Sequence, residues 1–259
     1  MSDLTVIAKR GIGLIDLTTL TDHEQRADIT AICQQAVTAM GHTAALCLYP
    51  RFIPLARKTL RQQGEAEIRL ATVTNFPHGD ACLETAQAET RAAIAYGADE
   101  VDLVFPWRAL LEGDHAIGER MVSACRQLCH EQNVLLKVII ETGELKQPEI
   151  IATASRIVIG SGADFIKTST GKVPVNATLA AAEVMLTAIE QCGVRHSVGF
   201  KAAGGIRTTA EAASYIQLAD RIMGEGWVTP HRFRFGASGL LQDFLRHCGL
   251  TNAGAVTDY

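Results

Sequence analysis

The sequence predicts an α/β fold: a single closed barrel of eight strand–helix units, with a short extra helix ahead of it. Two observations carry this reading. Short apolar, β-branched runs alternate with longer amphipathic stretches from end to end of the 259 residues. The runs recur eight times, spaced near the length of a βαβ repeat, about 30 residues. A third observation excludes the main rival. An open doubly wound sheet usually places a Gly-rich nucleotide turn after its first strand, and none stands there.

The elements follow in order. The first dozen residues form the extra helix. Strand one is Ile12–Leu17, and it leads into Leu17-Thr18-Thr19-Leu20. A helix over Glu24–Met40 precedes strand two, Thr43–Leu48. Gly64 stops the next helix before strand three, Ile68–Val73. The helix Leu83–Tyr96 ends at Gly97 and feeds strand four, Glu100–Phe105. Strand five is Val134–Ile140; strand six, Asp164–Thr168, follows the stop at Gly162. The helix Leu179–Gln191 ends at Gly193, before strand seven, Ser197–Ala202, and strand eight is Arg234–Ala237. Gly97-Ala98-Asp99-Glu100-Val101-Asp102 and Gly162-Ala163-Asp164-Phe165-Ile166-Lys167 share wording, each with an ionisable residue five positions after the glycine. No Pro/Ser-rich linker divides the chain, so residues 1–259 read as one (β/α)8 domain.

Composition narrows the function classes. Apolar residues make up 47% and charged residues 20%, an ordinary globular balance that excludes disorder as the main state. Net charge is −4, with no long basic run, so nucleic acid and a basic membrane-surface helix are disfavoured as partners. The longest charge-free stretch, Ile29–Pro50, contains Gln34, Gln35, Thr38, Gly41 and His42 and does not read as a membrane span. The apolar stretch Gly11–Ile15 stops at Asp16, too short for a secretory core. Seven cysteines without a Cys-x-x-Cys pair are expected to be free thiols in a reducing cytoplasm.

Ionisable residues inside the strands are the main functional signal. Strands of an α/β barrel are covered on both faces and should be apolar. Asp102, Lys137, Lys167 and Lys201 interrupt four of them. Lys167 and Lys201 stand near the carboxyl ends of strands six and seven, where barrel active sites form. A structural ion pair between Asp102 and one lysine is the plain alternative. Three lysines against one obvious carboxylate leave positive charge that such a pair does not explain.

Imine chemistry explains it. A lysine must be neutral to attack a carbonyl, and its unperturbed pKa is about 10.4. A second ammonium about 4 Å away costs about 4 kcal/mol at an effective dielectric near 20, which corresponds to about three pKa units. A nearby carboxylate can hold a water and shuttle protons. Either Lys167 or Lys201 could be the nucleophile on this reasoning.

The loops after the last three strands are the second signal. Ser169-Thr170-Gly171-Lys172, Ala203-Gly204-Gly205-Ile206-Arg207 and Gly236-Ala237-Ser238-Gly239 all carry glycine. Glycines let backbone N–H groups approach an anion, and barrel phosphate sites commonly use the loops after strands seven and eight. A Gly-Gly pair alone is also a plain tight turn.

Several segments resemble deoxyribose-phosphate aldolases. Phe165-Ile166-Lys167-Thr168-Ser169-Thr170-Gly171-Lys172 is similar to that family's imine-lysine segment. Val198-Gly199-Phe200-Lys201-Ala202-Ala203-Gly204-Gly205-Ile206-Arg207 is similar to its second lysine segment. Ala92–Tyr96 with the following Gly97–Asp102, Leu135–Thr142 and Arg234–Ser238 fit as well. The resemblance implies a class I aldolase on a TIM barrel, without a cofactor or metal. Its reaction would be reversible cleavage of 2-deoxy-D-ribose 5-phosphate to D-glyceraldehyde 3-phosphate and acetaldehyde, in deoxyribonucleoside catabolism in the cytoplasm. It makes Lys167 the imine former, gives Lys201 control of the Lys167 pKa and a part in proton transfer, and puts Asp102 in the proton relay. Thr170, Gly171, Lys172, Gly204, Gly205, Arg207, Gly236 and Ser238 are then the candidate substrate and phosphate contacts. Lys137 is a supporting charge near Asp102.

Some positions depart from the family pattern or stand outside it. Ala202 replaces a common proline and Gly239 a common serine, which bear on loop rigidity and phosphate affinity. Asp16 and Thr18 end strand one on the presumed site side and either bind substrate hydroxyls or cap the turn. Tyr259, the last residue, either assists proton transfer or belongs to a frayed tail. Cys47 either lines the pocket or is a small buried apolar residue, and His78 has no assigned role. The eight histidines are scattered without metal-ligand spacing. The expected partners are small phosphorylated sugars and aldehydes, and a homodimer is compatible with the sequence. Two other readings compete: a pyridoxal-phosphate enzyme, which would be yellow, and a non-catalytic barrel that binds a phosphorylated sugar.

Overall fold

The computed structural model describes residues 3–250. Eight parallel strands close into a barrel. In chain order they are β1 Ile15–Thr18, β2 Ala45–Leu48, β3 Arg69–Thr74, β4 Glu100–Val104, β5 Leu135–Ile139, β6 Phe165–Lys167, β7 Gly199–Ala203 and β8 Phe233–Ala237. Each pairs with its sequence neighbours, and β1 closes on β8 with Asp16 opposite Gly236. Between β6 and β7 the register sets Lys167 opposite Lys201; between β4 and β5 it sets Asp102 opposite Lys137. The expected extra helix is α1, Asp3–Ile12, and it packs against the helix Leu240–His247.

Alternation along each strand makes two interiors. One set of residues points outward into an apolar shell beneath the helices, including Ile15, Leu17, Leu46, Leu48, Val101, Leu136, Val138, Ile166, Phe200 and Phe235. The other set points into the lumen. On the β2–β3 side the lumen holds a small cluster of Ala45, Cys47, Ala71 and Val73 with Leu20. On the other side it holds charged side chains. Two lumen glycines make room for large neighbours, Gly199 for the Phe165 ring and Gly236 for the Lys201 side chain. A Cβ on Gly199 would stand 2.4 Å from the Phe165 ring, and one on Gly236 would stand 3.0 Å from Cε of Lys201.

The helices follow their sequence signals with one exception. The helix Leu179–Gln191 has the expected bounds, starting at Thr178, whose side chain caps the Ala181 N–H. Gly64, Gly97, Gly162 and Gly193 all take the positive φ of helix stops. The helix expected over Glu24–Met40 covers only Arg26–Gln35. Val37-Thr38 instead pairs antiparallel with Gly41-His42 in a small hairpin. Two β-branched, half-buried residues and a glycine at φ 110° favour that turn over a continuation of the helix to Met40.

Candidate active site

The strands bring seven ionic side chains into one buried network. Asp16 comes from β1, Glu100 and Asp102 from β4, Lys137 from β5, Lys167 from β6, Lys201 from β7 and Arg234 from β8. All are buried, Lys167 at 3% exposure being the most accessible. Asp102 sits at the centre: its Oδ2 accepts from Nζ of Lys167 and of Lys201, both at 2.8 Å, and its Oδ1 accepts from Nζ of Lys137 at 2.9 Å. Lys201 also donates to Asp16 Oδ2 at 2.5 Å. Lys137 lies 2.5 Å from Glu100 Oε2 and 3.6 Å from Asp16 Oδ2. Arg234 donates to Asp16 Oδ1, and to Glu100 Oε1 at 3.0 Å.

This network corrects the charge count made from sequence. Three carboxylates, not one, face the three lysines, and Arg234 is a fourth cation. Asp16, placed at the end of strand one as a hydroxyl contact or turn cap, is a full member. Glu100 and Arg234 were missed because each stands at or next to the start of its strand, where a charge looks like a boundary. The available signal was the alternation that puts Glu100 on the face of Asp102. Thr18 is buried and donates to the Asp16 carbonyl at 2.8 Å.

The three lysines differ in their proton hold. Burial pulls the Lys167 amine below the ordinary lysine value; Asp102 opposes this and the Lys201 ammonium adds to it. Burial also works against charged Lys201, but Asp102 and Asp16 outweigh it and hold that amine well above the usual range. Lys137 is likewise raised: burial is overcome by Asp102, Glu100 and Asp16. Burial resists ionisation of Asp102, yet its three lysine partners hold the carboxyl well below the usual range. The depression of Lys167 thus comes first from burial and second from Lys201, with Asp102 between the two amines. An ammonium pair taken alone overstates it.

A cleft of about 350 Å³ lies among the glycine-bearing loops. Gly171, Gly204, Gly205, Arg207, Gly236 and Ser238 line it, together with Pro174, Asn176, Ile206, Ala237 and Gly239. Gly171, Gly204 and Gly205 have φ of 85°, 85° and 83°, which a larger residue adopts only under strain. The expected residues Thr170 and Lys172 are not in this lining. Thr170 is buried and its N–H donates to Glu141 Oε1 at 3.1 Å; Nζ of Lys172 donates to the Leu20 carbonyl at 2.6 Å. Both therefore shape the loop after β6. Glu141 escaped notice in the sequence because it follows an apolar run as a turn residue would. Its φ of 58° and full burial emerge only from the fold.

Other candidates separate from the site. Cys47 is fully buried in the lumen cluster, and burial pushes its thiol up, so it stays neutral. The carbonyl of His78 accepts from Arg108 at 2.5 Å. Tyr259 lies outside the described residues. No group of three or more His, Cys, Asp or Glu able to hold a metal ion occurs among the described residues. No helix among them is long and apolar enough to cross a membrane.

Known structures share this architecture. The apo form of a Toxoplasma gondii ME49 protein, provisionally named deoxyribose-phosphate aldolase, is 25% identical with a TM-score of 0.86, covering 95% of this chain and 97% of its own. An aldolase designated QR15 is 25% identical with a TM-score of 0.76, covering 95% and 97%. The Aeropyrum pernix deoxyribose phosphate aldolase, described as a tetramer, shares the fold at 22% identity and a TM-score of 0.73, covering 94% and 92%. The sequence model of the DeoC/LacD family aldolases matches residues 11–246. With a closed eight-strand barrel, a lysine–carboxylate network in its lumen and that match over most of its length, the chain belongs to the DeoC/LacD aldolase family and is an aldolase, a carbon–carbon lyase.

Proposed function

We propose that the chain is a class I, Schiff-base aldolase that reversibly cleaves 2-deoxy-D-ribose 5-phosphate into D-glyceraldehyde 3-phosphate and acetaldehyde. The observation that carries this reading is Lys167. It ends β6 on the carboxyl side of the barrel, touches Asp102 at 2.8 Å, and is the one lysine of the three whose ammonium the lumen disfavours. A neutral amine in that place is what imine formation needs.

The steps follow from that amine. Nitrogen of Lys167 attacks the aldehyde carbon C1, and the carbinolamine loses water to give a protonated imine. The C3 hydroxyl then gives up its proton, its oxygen forms a carbonyl, and the C2–C3 bond breaks. The electron pair of that bond moves onto the imine as an enamine. Glyceraldehyde 3-phosphate departs. Protonation at C2 and hydrolysis release acetaldehyde and free Lys167. Asp102, between Lys167 and Lys201, can hold the water that relays these protons. Lys201 keeps its own charge and discourages a charge on Lys167. The phosphate enters the cleft among Gly171, Gly204, Gly205, Gly236 and Ser238, with Arg207 at its rim adding positive charge.

The test is aldol cleavage of 2-deoxy-D-ribose 5-phosphate by the purified chain, followed by borohydride trapping with acetaldehyde and peptide mass spectrometry. Turnover with a reduced two-carbon adduct on Lys167 is expected. Turnover with the adduct on Lys201 would reject the assignment of the nucleophile; no adduct on any lysine would reject the imine mechanism. A yellow protein with a pyridoxal absorbance band would favour that cofactor instead. We further expect cytoplasmic deoxyribonucleoside catabolism as its setting and small molecules as its partners. A homodimer would be read from its mass in solution.

A further inference from the structure

The lumen charges do not balance when every group is ionised. Four cations, Lys137, Lys167, Lys201 and Arg234, face three carboxylates, Asp16, Glu100 and Asp102, and none of the seven exceeds 3% exposure. A surplus charge sealed from water is costly, and loss of one proton relieves it. Arg234 cannot supply that proton, because a guanidinium stays charged. Lys137 has three carboxylates within 3.6 Å and Lys201 has two within 2.8 Å. Lys167 has Asp102 alone among these carboxylates, at 2.8 Å. When Lys167 is neutral, three cations meet three anions.

Arg234 creates the surplus. It sits on β8 opposite Lys201 in register and spans Asp16 and Glu100 with two nitrogens. We propose that Arg234, clamped by Glu100 and Asp16, is a positioning residue for the amine chemistry: it adds the fourth buried cation, so that the charge the lumen cannot hold is the proton of Lys167. This inference deepens the reading of Lys167 as the imine former and rests on it.

Other titratable groups border the network. The remaining groups that face the network are Cys47 on β2, Arg69 on β3, Glu141 after β5 and Asp164 before β6, whose charge is offset by Arg126 at 3.2 Å and which accepts from the Leu136 N–H at 2.8 Å. Cys47 stays neutral, since burial pushes its thiol up. Arg69 lies 3.7 Å from Glu100, but its side chain is 40% exposed and water screens it. Glu141 makes no ion pair with the seven among the described residues; its Oε1 accepts from the Thr170 N–H at 3.1 Å, and burial raises its carboxyl.

The test compares the unaltered enzyme with Arg234→Met, Arg234→Lys and the double variant Glu100→Gln/Arg234→Met. Each is treated with acetaldehyde and cyanoborohydride over a pH series, and the Lys167 peptide is quantified by mass spectrometry. Circular dichroism checks folding. Arg234→Met removes the surplus, so the acid limb of adduct formation should move up by about one pH unit or more, about tenfold less adduct at a given pH on the limb. Arg234→Lys keeps the charge and should keep the limb near its original position. The double variant removes one charge of each sign and should return the limb toward that position. A limb that stays put in folded Arg234→Met, or that moves equally in all three variants, overturns the proposal. If Arg234→Met does not fold, Glu100→Gln alone should move the limb down; a limb that stays or rises then overturns it. Absence of any Lys167 adduct in the unaltered enzyme overturns the imine reading itself, which is a separate outcome.

Discussion

The outer shell and the lumen of this barrel are built from the same strands, yet they obey opposite rules. In the shell, residues such as Leu136, Ile166 and Phe200 are fully buried against helices, and any large apolar side chain of fitting shape would serve. One residue away, Lys137, Lys167 and Lys201 point into the lumen, where each charge is tolerable only through a named partner. The shell stabilises the fold by area removed from water. The lumen pairs add little net stability over an apolar core, although loss of one partner is costly, and they bias Lys167 rather than Lys201 toward the neutral form. Stability and chemistry are thereby assigned to alternate residues of one strand.

Substitutions can separate the two. The largest expected effect is Lys167→Leu, which should abolish cleavage and leave the fold intact. It should also change the pH dependence of stability. The native Lys167 amine holds its proton less tightly than in the unfolded chain, so the wild type gains stability as pH rises from its folded value toward about 10.4. The stability of Lys167→Leu relative to wild type should therefore be greatest at low pH and shrink as pH rises, as read by denaturant titrations at several pH values. A constant difference would remove the charge argument for Lys167.

Asp102→Asn comes next. It leaves three lysines without their shared carboxylate. Breaking a buried pair from one side costs about 3–5 kcal/mol, and loss of the proposed relay group should lower turnover by about 10²–10⁴-fold. Denaturation and kinetics should both move. Leu186→Ala, in the shell, is the contrast: Leu186 is fully buried, and its truncation should cost about 2–5 kcal/mol of stability. Turnover per folded molecule should barely change. A large kinetic effect there would break the division between the two interiors.

Much of this was legible in the sequence because charges in covered strands are conspicuous. Asp102, Lys137, Lys167 and Lys201 interrupt apolar runs and stand out for that reason, and eight runs with glycine stops predict the barrel. Glu100 and Arg234 were not found, since a charge at the edge of a run mimics the edge itself. Only closure of β8 onto β1 and the lumen alternation bring Arg234 to Asp16 and Glu100. The expected single carboxylate thus became three. The choice between Lys167 and Lys201 was equally out of reach of local pattern. It depends on which amine Asp16 touches, and Asp16 is 185 positions from Lys201. The glycine loops were readable as a cluster, and they line one cleft, while the contacts that take Thr170 and Lys172 away from that lining depend on Glu141 and Leu20.

The most direct measurement is a titration of the three lumen lysines in one sample of folded protein, by competitive amine labelling over a pH series with peptide mass spectrometry. Lys167 should become reactive below the range of an ordinary lysine, with Lys201 and Lys137 above it. Lys201 becoming reactive at lower pH than Lys167 would contradict the assignment of Lys167 as the neutral amine on which the proposed chemistry depends.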